Sequence, residues 1–146
     1  MNIQAVTKDN YQELIEVWEA SVRATHDFLP EDNIAELKPL ILQHYFDAVD
    51  LRCVKNGDDK ILGFIGVSDS NIEMLFVDPA HIGQSIGRKL TEFAIENLHA
   101  TKVDVNEQNP KAIGFYERLG FTQTGRSELD GQGNPFPLIH MTLRED

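Results

Sequence analysis

The segment Val77-Asp78-Pro79-Ala80-His81-Ile82-Gly83-Gln84-Ser85-Ile86-Gly87-Arg88-Lys89-Leu90 restricts the fold more than any other stretch of the 146-residue chain. An apolar strand end passes through Asp-Pro and a loop with two glycines into a helix whose apolar face is Ile86, Leu90, Phe93, Ala94 and Leu98. The start of that helix is a potential anion site, because its first N–H groups lack intrahelical partners and the macrodipole is positive there. Glycine lets the backbone approach such a ligand, and Arg88 and Lys89 add local positive charge. Taken alone, the junction reads equally well as a tight turn with good packing.

The elements around it narrow the choice. Ile3 to Val6 reads as a short strand, and from Thr7 the positions Tyr11, Leu14, Ile15, Trp18 and Val22 repeat at helical spacing to about Thr25. Asn33 is the expected cap of a second helix through Ile34, Leu37, Ile41 and Tyr45, which Pro39 bends or restarts. Leu51 to Val54, Lys60 to Val67 and Ile72 to Asp78 form a meander of three strands, with Gly63 and Gly66 marking a bulge or close packing. A helix from about Gly83 to Leu98, a strand Lys102 to Asn106, a helix Pro110 to Leu119 and strands around Phe121 to Ser127 and Pro137 to Leu143 complete the chain. The fold class is mixed α/β. With no repeat or linker, residues 1–146 read as one domain.

A second informative segment is Asn106-Glu107-Gln108-Asn109-Pro110-Lys111-Ala112-Ile113-Gly114-Phe115-Tyr116-Glu117-Arg118-Leu119-Gly120-Phe121. Asn109 as N-cap, Pro110 at the first helical position and Gly120 beyond the end define a short helix. Ala112, Ile113, Tyr116 and Leu119 share one face, so on structural grounds Tyr116 is a core aromatic whose hydroxyl finds a partner.

Together the two segments resemble the GNAT acetyltransferases, in particular their small single-domain bacterial members. In that family a V-D-P-like turn precedes Q/R-x-x-G-x-G/A, and a later N-x-x-A-x-x-x-Y-x-x-x-G-F completes the cofactor site. The second motif is complete here, as Asn109, Ala112, Tyr116, Gly120 and Phe121. In the first, Ile82 stands in place of Gln or Arg and Ser85 in place of the first glycine, while Gly83, Gly87 and Arg88 remain. A serine is tolerable at a backbone phosphate site if its φ is negative, and its hydroxyl then adds a hydrogen bond.

The resemblance implies a mostly antiparallel sheet of about six or seven strands flanked by about four helices and splayed between the fourth and fifth strands. It implies acetyl-CoA as cosubstrate, bound by Leu75, Phe76 and Val77 of a bulged fourth strand, by Gly83, Gln84, Ser85, Ile86, Gly87 and Arg88, and by Asn109 and Tyr116. The implied reaction is N-acetyl transfer to a primary amine by direct attack. An acceptor with pKa near 10.4 is protonated at neutral pH, and freeing it costs about 4 to 5 kcal/mol at pH 7. Glu73 is the first choice of base, Asp104 on the next strand is the competing carboxylate, and water is the third option. Tyr116 matches the family position that protonates the departing thiolate. His26 and Phe28 fall where the family builds part of its acceptor pocket, and where a plain helix end and loop fits equally well.

Composition limits the partners. A net charge of -11 and a pI near 4.8 oppose nucleic-acid binding and suit a small-molecule amine or a basic peptide. No apolar run approaches the ~18 residues of a membrane span, and MNIQAVTKDN has no signal-peptide pattern. With one cysteine, Cys53, the expected compartment is a reducing cytoplasm. His26, His44, His81, His99 and His140 show no metal-ligand spacing, so no metal is expected. The resemblance implies a monomer or homodimer. The competing reading, motivated by Ile82 and Ser85, is a non-catalytic CoA-sensing or protein-interaction module on the same fold. Retention of Asn109 and Tyr116 argues against it.

Overall fold

A computed structural model describes residues 2–25, 30–130 and 133–144. Seven strands form one sheet: β1 (Asn2–Ala5), β2 (Asp50–Lys55), β3 (Ile61–Ser68), β4 (Asn71–Val77), β5 (Lys102–Asn106), β6 (Phe121–Ser127) and β7 (Leu138–Leu143), in the order β1-β2-β3-β4-β5-β7-β6. Every neighbouring pair is antiparallel except β4 and β5. The main helices are α1 (Tyr11–Thr25), α2 (Glu31–Leu40), α3 (Ile86–Asn97) and α4 (Pro110–Arg118).

Two cores sit on the two faces of this sheet. On one, Leu90 and Ala94 of α3 and Tyr116 of α4 meet Ile65, Val103, Phe121, Ile139 and Met141. On the other, Leu14, Ile15 and Trp18 of α1 and Ile34 of α2 meet Cys53, Phe64 and Met74. Strand β3, covered on both faces, is buried from Ile61 to Val67 and reads as a continuous apolar run. Gly66 is required by packing there, since a Cβ would lie 2.8 Å from Val49 Cγ2, and Gly63 is tight against Ile86 Cγ2 at 3.0 Å. Among the described residues, no helix is long and apolar enough to cross a membrane.

Two helix starts differ from expectation. Pro30, in extended conformation, occupies the N-cap of α2, so Asn33 lies inside the helix instead of capping it. Pro at this point needs no N–H partner and leaves the first turn to Glu31 and Asp32, whose charges suit the helix N-terminus. Pro39 lies inside α2 and does not restart it; α2 ends at Leu40 and the backbone widens into a π-helical turn, Ile41–Tyr45. Helix α3 begins at Ile86, three residues after Gly83, because Pro79–His81 forms a separate 3-10 turn capped by Asp78.

Candidate active site

The parallel ladder between β4 and β5 is short. It joins Asn71 to Lys102 and Ile72 to Val103, and the strands part beyond that point. Against β3 the register of β4 slips by one residue, with Gly66 opposite Met74 and Val67 opposite Ile72. Glu73 is therefore the extra residue of a β-bulge, which bends its strand and re-aims its side chain. Leu75, Phe76 and Val77 stay paired with β3 through Ile65, Phe64 and Gly63, so their other edge faces the gap. A strand edge with unpaired N–H and C=O groups is a template for an extended ligand carrying amides.

A cavity of about 130 Å³ opens in that gap, lined by Glu73, Leu75 and Phe76 from β4, Asp104 and Asn106 from β5, and Asn109, Ala112 and Tyr116 from the α4 region. Asn109 caps α4 as its spacing predicts, its Oδ1 accepting from the Ala112 N–H at 3.3 Å, and Gly120 follows at φ +102°. Tyr116 is only 6% exposed and sits edge-on to Phe115 and Phe121, with ring centroids 5.0 and 5.5 Å away. Burial alone pushes its phenol above the ordinary value near 10; no hydrogen-bond partner contributes. The expected internal partner for the hydroxyl is thus absent among the described residues, and the group is left to whatever enters the cavity.

The loop before α3 is decided at one residue, Ser85. Ser85 takes the left-handed conformation, φ +66°, so the negative φ on which its tolerance is conditional is not met, and its side chain makes no capping hydrogen bond. A chain turning from the 3-10 segment into α3 needs positive φ at Gly83 and again at Ser85, and only the first is a glycine. Without a cap the first N–H groups of α3 remain open. Gly83, Gln84 and Ser85 are exposed, as is Ile82 at 57%, whereas the Ile86 side chain is core, leaving only its backbone for a ligand. Arg88 is engaged by Glu92 at 2.7 Å. His26 and Phe28 lie outside the described residues.

The far face of the site holds an arrangement that the sequence reading missed. Asp104 Oδ1 lies 2.6 Å from His140 Nδ1, and His140 Nε2 lies 2.6 Å from Ser127 Oγ. These residues come from β5, β7 and β6, on the face opposite Val103, Val105, Ile139 and Met141. The polar positions in Val103-Asp104-Val105 and Ile139-His140-Met141 were the available signal; the insertion of β7 between β5 and β6 was not readable.

A parallel pair splayed after two residues, an uncapped helix start whose Gly87 lies between Val77 of β4 and Phe115 of α4, and a buried phenol in the gap define an acyl-CoA-dependent acyltransferase. Residues 34–145 match the family model described as an acetyltransferase (GNAT) domain. The chain is 38% identical over 141 residues to the peptidyl-lysine N-acetyltransferase YjaB of Salmonella typhimurium, covering 97% of each chain. The solution structure of apo-form YjaB from Escherichia coli superposes with a TM-score of 0.87 at 36% identity, covering 99% of this chain and 98% of the other. The PaiA N-acetyltransferase of Thermoplasma acidophilum, solved in complex with coenzyme A, shares the fold at a TM-score of 0.72 and 18% identity over 99% of this chain and 100% of that one. The chain belongs to the GNAT family of N-acetyltransferases.

Proposed function

We propose that residues 1–146 act as one domain that transfers the acetyl group of acetyl-CoA to a primary amine by direct attack, the acceptor being a lysine side chain on a basic protein segment. The observation that carries this reading is the β4–β5 gap, where the phenol of Tyr116 and the carboxylate of Glu73 line one cavity. The name of the 38% identical relative, a peptidyl-lysine N-acetyltransferase, and the charge of -11 favour a cationic peptide over a neutral or acidic acceptor.

The residues present fit acetyl-CoA. The edge of Leu75 to Val77 that faces away from β3 suits the pantetheine amides, and the uncapped start of α3, with nothing within 4 Å of a Cβ placed on Gly83, suits the pyrophosphate. Gln84, Ser85, Ile86, Gly87 and Arg88 contribute mainly backbone N–H groups, and Asn109 holds the start of α4 beside the gap. The cosubstrate supplies the thioester on which the amine acts. Glu73, exposed at the bulge, takes the amine proton directly or through water. Tyr116 keeps its proton at Oη because burial disfavours the phenolate, and it hands that proton to the leaving sulfur.

The test is incubation with acetyl-CoA and a panel of lysine-containing basic peptides, polyamines and free amino acids, read by thiol release and by the mass of the product. Acetylated lysine peptide is the expected product. Thiol release with none of these amines, or faster turnover of an acidic or neutral amine than of every cationic one, overturns the reading.

A further inference from the structure

A second cavity, about 470 Å³, opens on the sheet face beyond β4, while α1 packs mainly on β3 and β4. It shares Glu73 and Asp104 with the cavity that holds Tyr116, so the two meet at these carboxylates. Its charged lining is Asp69, Glu73 and Asp104 against Lys102. On the proposed-function reading, an amine that reaches a thioester in the first cavity from this open face passes between Glu73 and Asp104.

Asp104 is not a loose surface carboxylate. An ionised carboxylate only accepts, so the His140 Nδ1–H donates to Oδ1 whatever the charge of the ring. The far nitrogen, Nε2, is held by the Ser127 hydroxyl, which donates to a neutral imidazole and accepts from a charged one. The ring also rests over Gly125, where a Cβ would meet His140 Cδ2 at 3.4 Å, so a larger residue would crowd the imidazole. Three strands thus hold one oxygen of Asp104, while the other, Oδ2, has no hydrogen bond among the described residues.

We propose that Asp104 receives the ammonium group of the acceptor lysine, and that His140, anchored by Ser127, is the positioning residue that orients its carboxylate. This rests on the lysine-acetyltransferase reading above and adds to it the residue that binds the acceptor. A fixed carboxylate loses less side-chain freedom when the cation arrives, so orientation appears in acceptor affinity and not in the affinity for acetyl-CoA.

The experiment is steady-state kinetics on the intact protein with a basic lysine peptide and acetyl-CoA varied separately. His140→Leu is expected to raise the peptide KM about tenfold, the loss of roughly one charge-assisted hydrogen bond, with the acetyl-CoA KM unchanged. His140→Asn, which keeps an N–H donor for Asp104, should return the peptide KM to near the wild-type value. Asp104→Asn should raise it at least as far, and the double variant Asp104→Asn/His140→Leu should be no worse than Asp104→Asn alone, because His140 acts through Asp104. If His140→Leu fails to fold, Ser127→Ala, expected to raise the peptide KM severalfold, carries the comparison. Unchanged peptide KM in the folded variants, or additive losses in the double variant, overturns the proposal while leaving the acetyltransferase reading intact. A wild-type protein that acetylates no amine overturns both.

Discussion

Ile72 and Met74 lie two residues apart on one strand yet face opposite cores, Ile72 toward α3 and α4 and Met74 toward α1 and α2. In a regular strand they would share a face; the bulge at Glu73 reverses the alternation between them. The same bulge ends the β4–β5 ladder and leaves Glu73 lining both cavities. A single inserted residue therefore creates the gap and sets a carboxylate in it.

Glu73→Gln is accordingly expected to fold with stability within about 0.5 kcal/mol of wild type, since the side chain is exposed and has no ion pair among the described residues. Its kcat on the best amine should fall by about 10² to 10⁴-fold, the range for a general base. Circular dichroism and initial rates decide it. A variant with undiminished kcat assigns the proton to Asp104 or to solvent.

Ser85 carries backbone strain that a glycine at this position would avoid. A left-handed L-residue costs about 1 to 2 kcal/mol, and glycine recovers this less its own ~0.5 to 1 kcal/mol of lost chain entropy. Ser85→Gly should thus raise the melting temperature by up to a few degrees and keep the shift induced by acetyl-CoA. Ser85→Val should lower it. Equal melting temperatures for all three would show that the positive φ relaxes without cost.

Gly87 tests the cofactor groove. A Cβ there would meet Phe115 at 3.5 Å and Val77 Cγ2 at 3.8 Å, ordinary contacts that Ala can accept. Gly87→Ala should therefore fold normally, whereas Gly87→Val adds two methyl groups between α3 and α4 and should abolish the acetyl-CoA thermal shift. Wild type at a hundred times its dissociation constant gains ~2.7 kcal/mol from the ligand. A full shift in Gly87→Val would move the cosubstrate elsewhere.

Much of this site was legible before the fold was known. Asn109, Pro110 and Gly120 delimit α4 through local capping chemistry, and β5 follows from the alternation of Val103 and Val105 with polar neighbours, so both survive without tertiary information. The remainder depended on distant residues. Asp104 and His140 are 36 positions apart, and only the placement of β7 between β5 and β6 brings them together. The bulge at Glu73 is a matter of register with β3, and the φ of Ser85 depends on how the 3-10 turn meets α3. Neither is encoded in a local pattern.

Charge should govern the acceptor step. With the cosubstrate saturating, the KM of a cationic peptide is expected to rise with salt, because attraction to an exposed acidic face is screened within about 8 to 10 Å near physiological ionic strength. A neutral analogue of the peptide should show a flat profile. Equal salt dependence for both would assign the effect to the enzyme instead of to steering by its charge of -11.

Tyr116 allows the sharpest separation of packing from chemistry. Its hydroxyl has no partner within the described protein, while its ring packs on Phe115 and Phe121, so Tyr116→Phe preserves the contacts and removes only the proton. The variant should match or slightly exceed wild-type stability and show the same acetyl-CoA thermal shift. Its kcat should fall by about 10² to 10⁴-fold if sulfur departure limits the rate. The pH dependence has a definite sign: the folded pKa is raised above the unfolded value near 10, so the stability that the neutral phenol supports is complete below pH 10 and declines as pH rises beyond it. Wild type should therefore lose stability above about pH 10 more steeply than Tyr116→Phe, and no loss of kcat from Tyr116 ionisation should begin below that pH. A Tyr116→Phe enzyme turning over at the wild-type rate, with chemistry shown to be rate-limiting, would make the residue a packing aromatic and require another source for the proton.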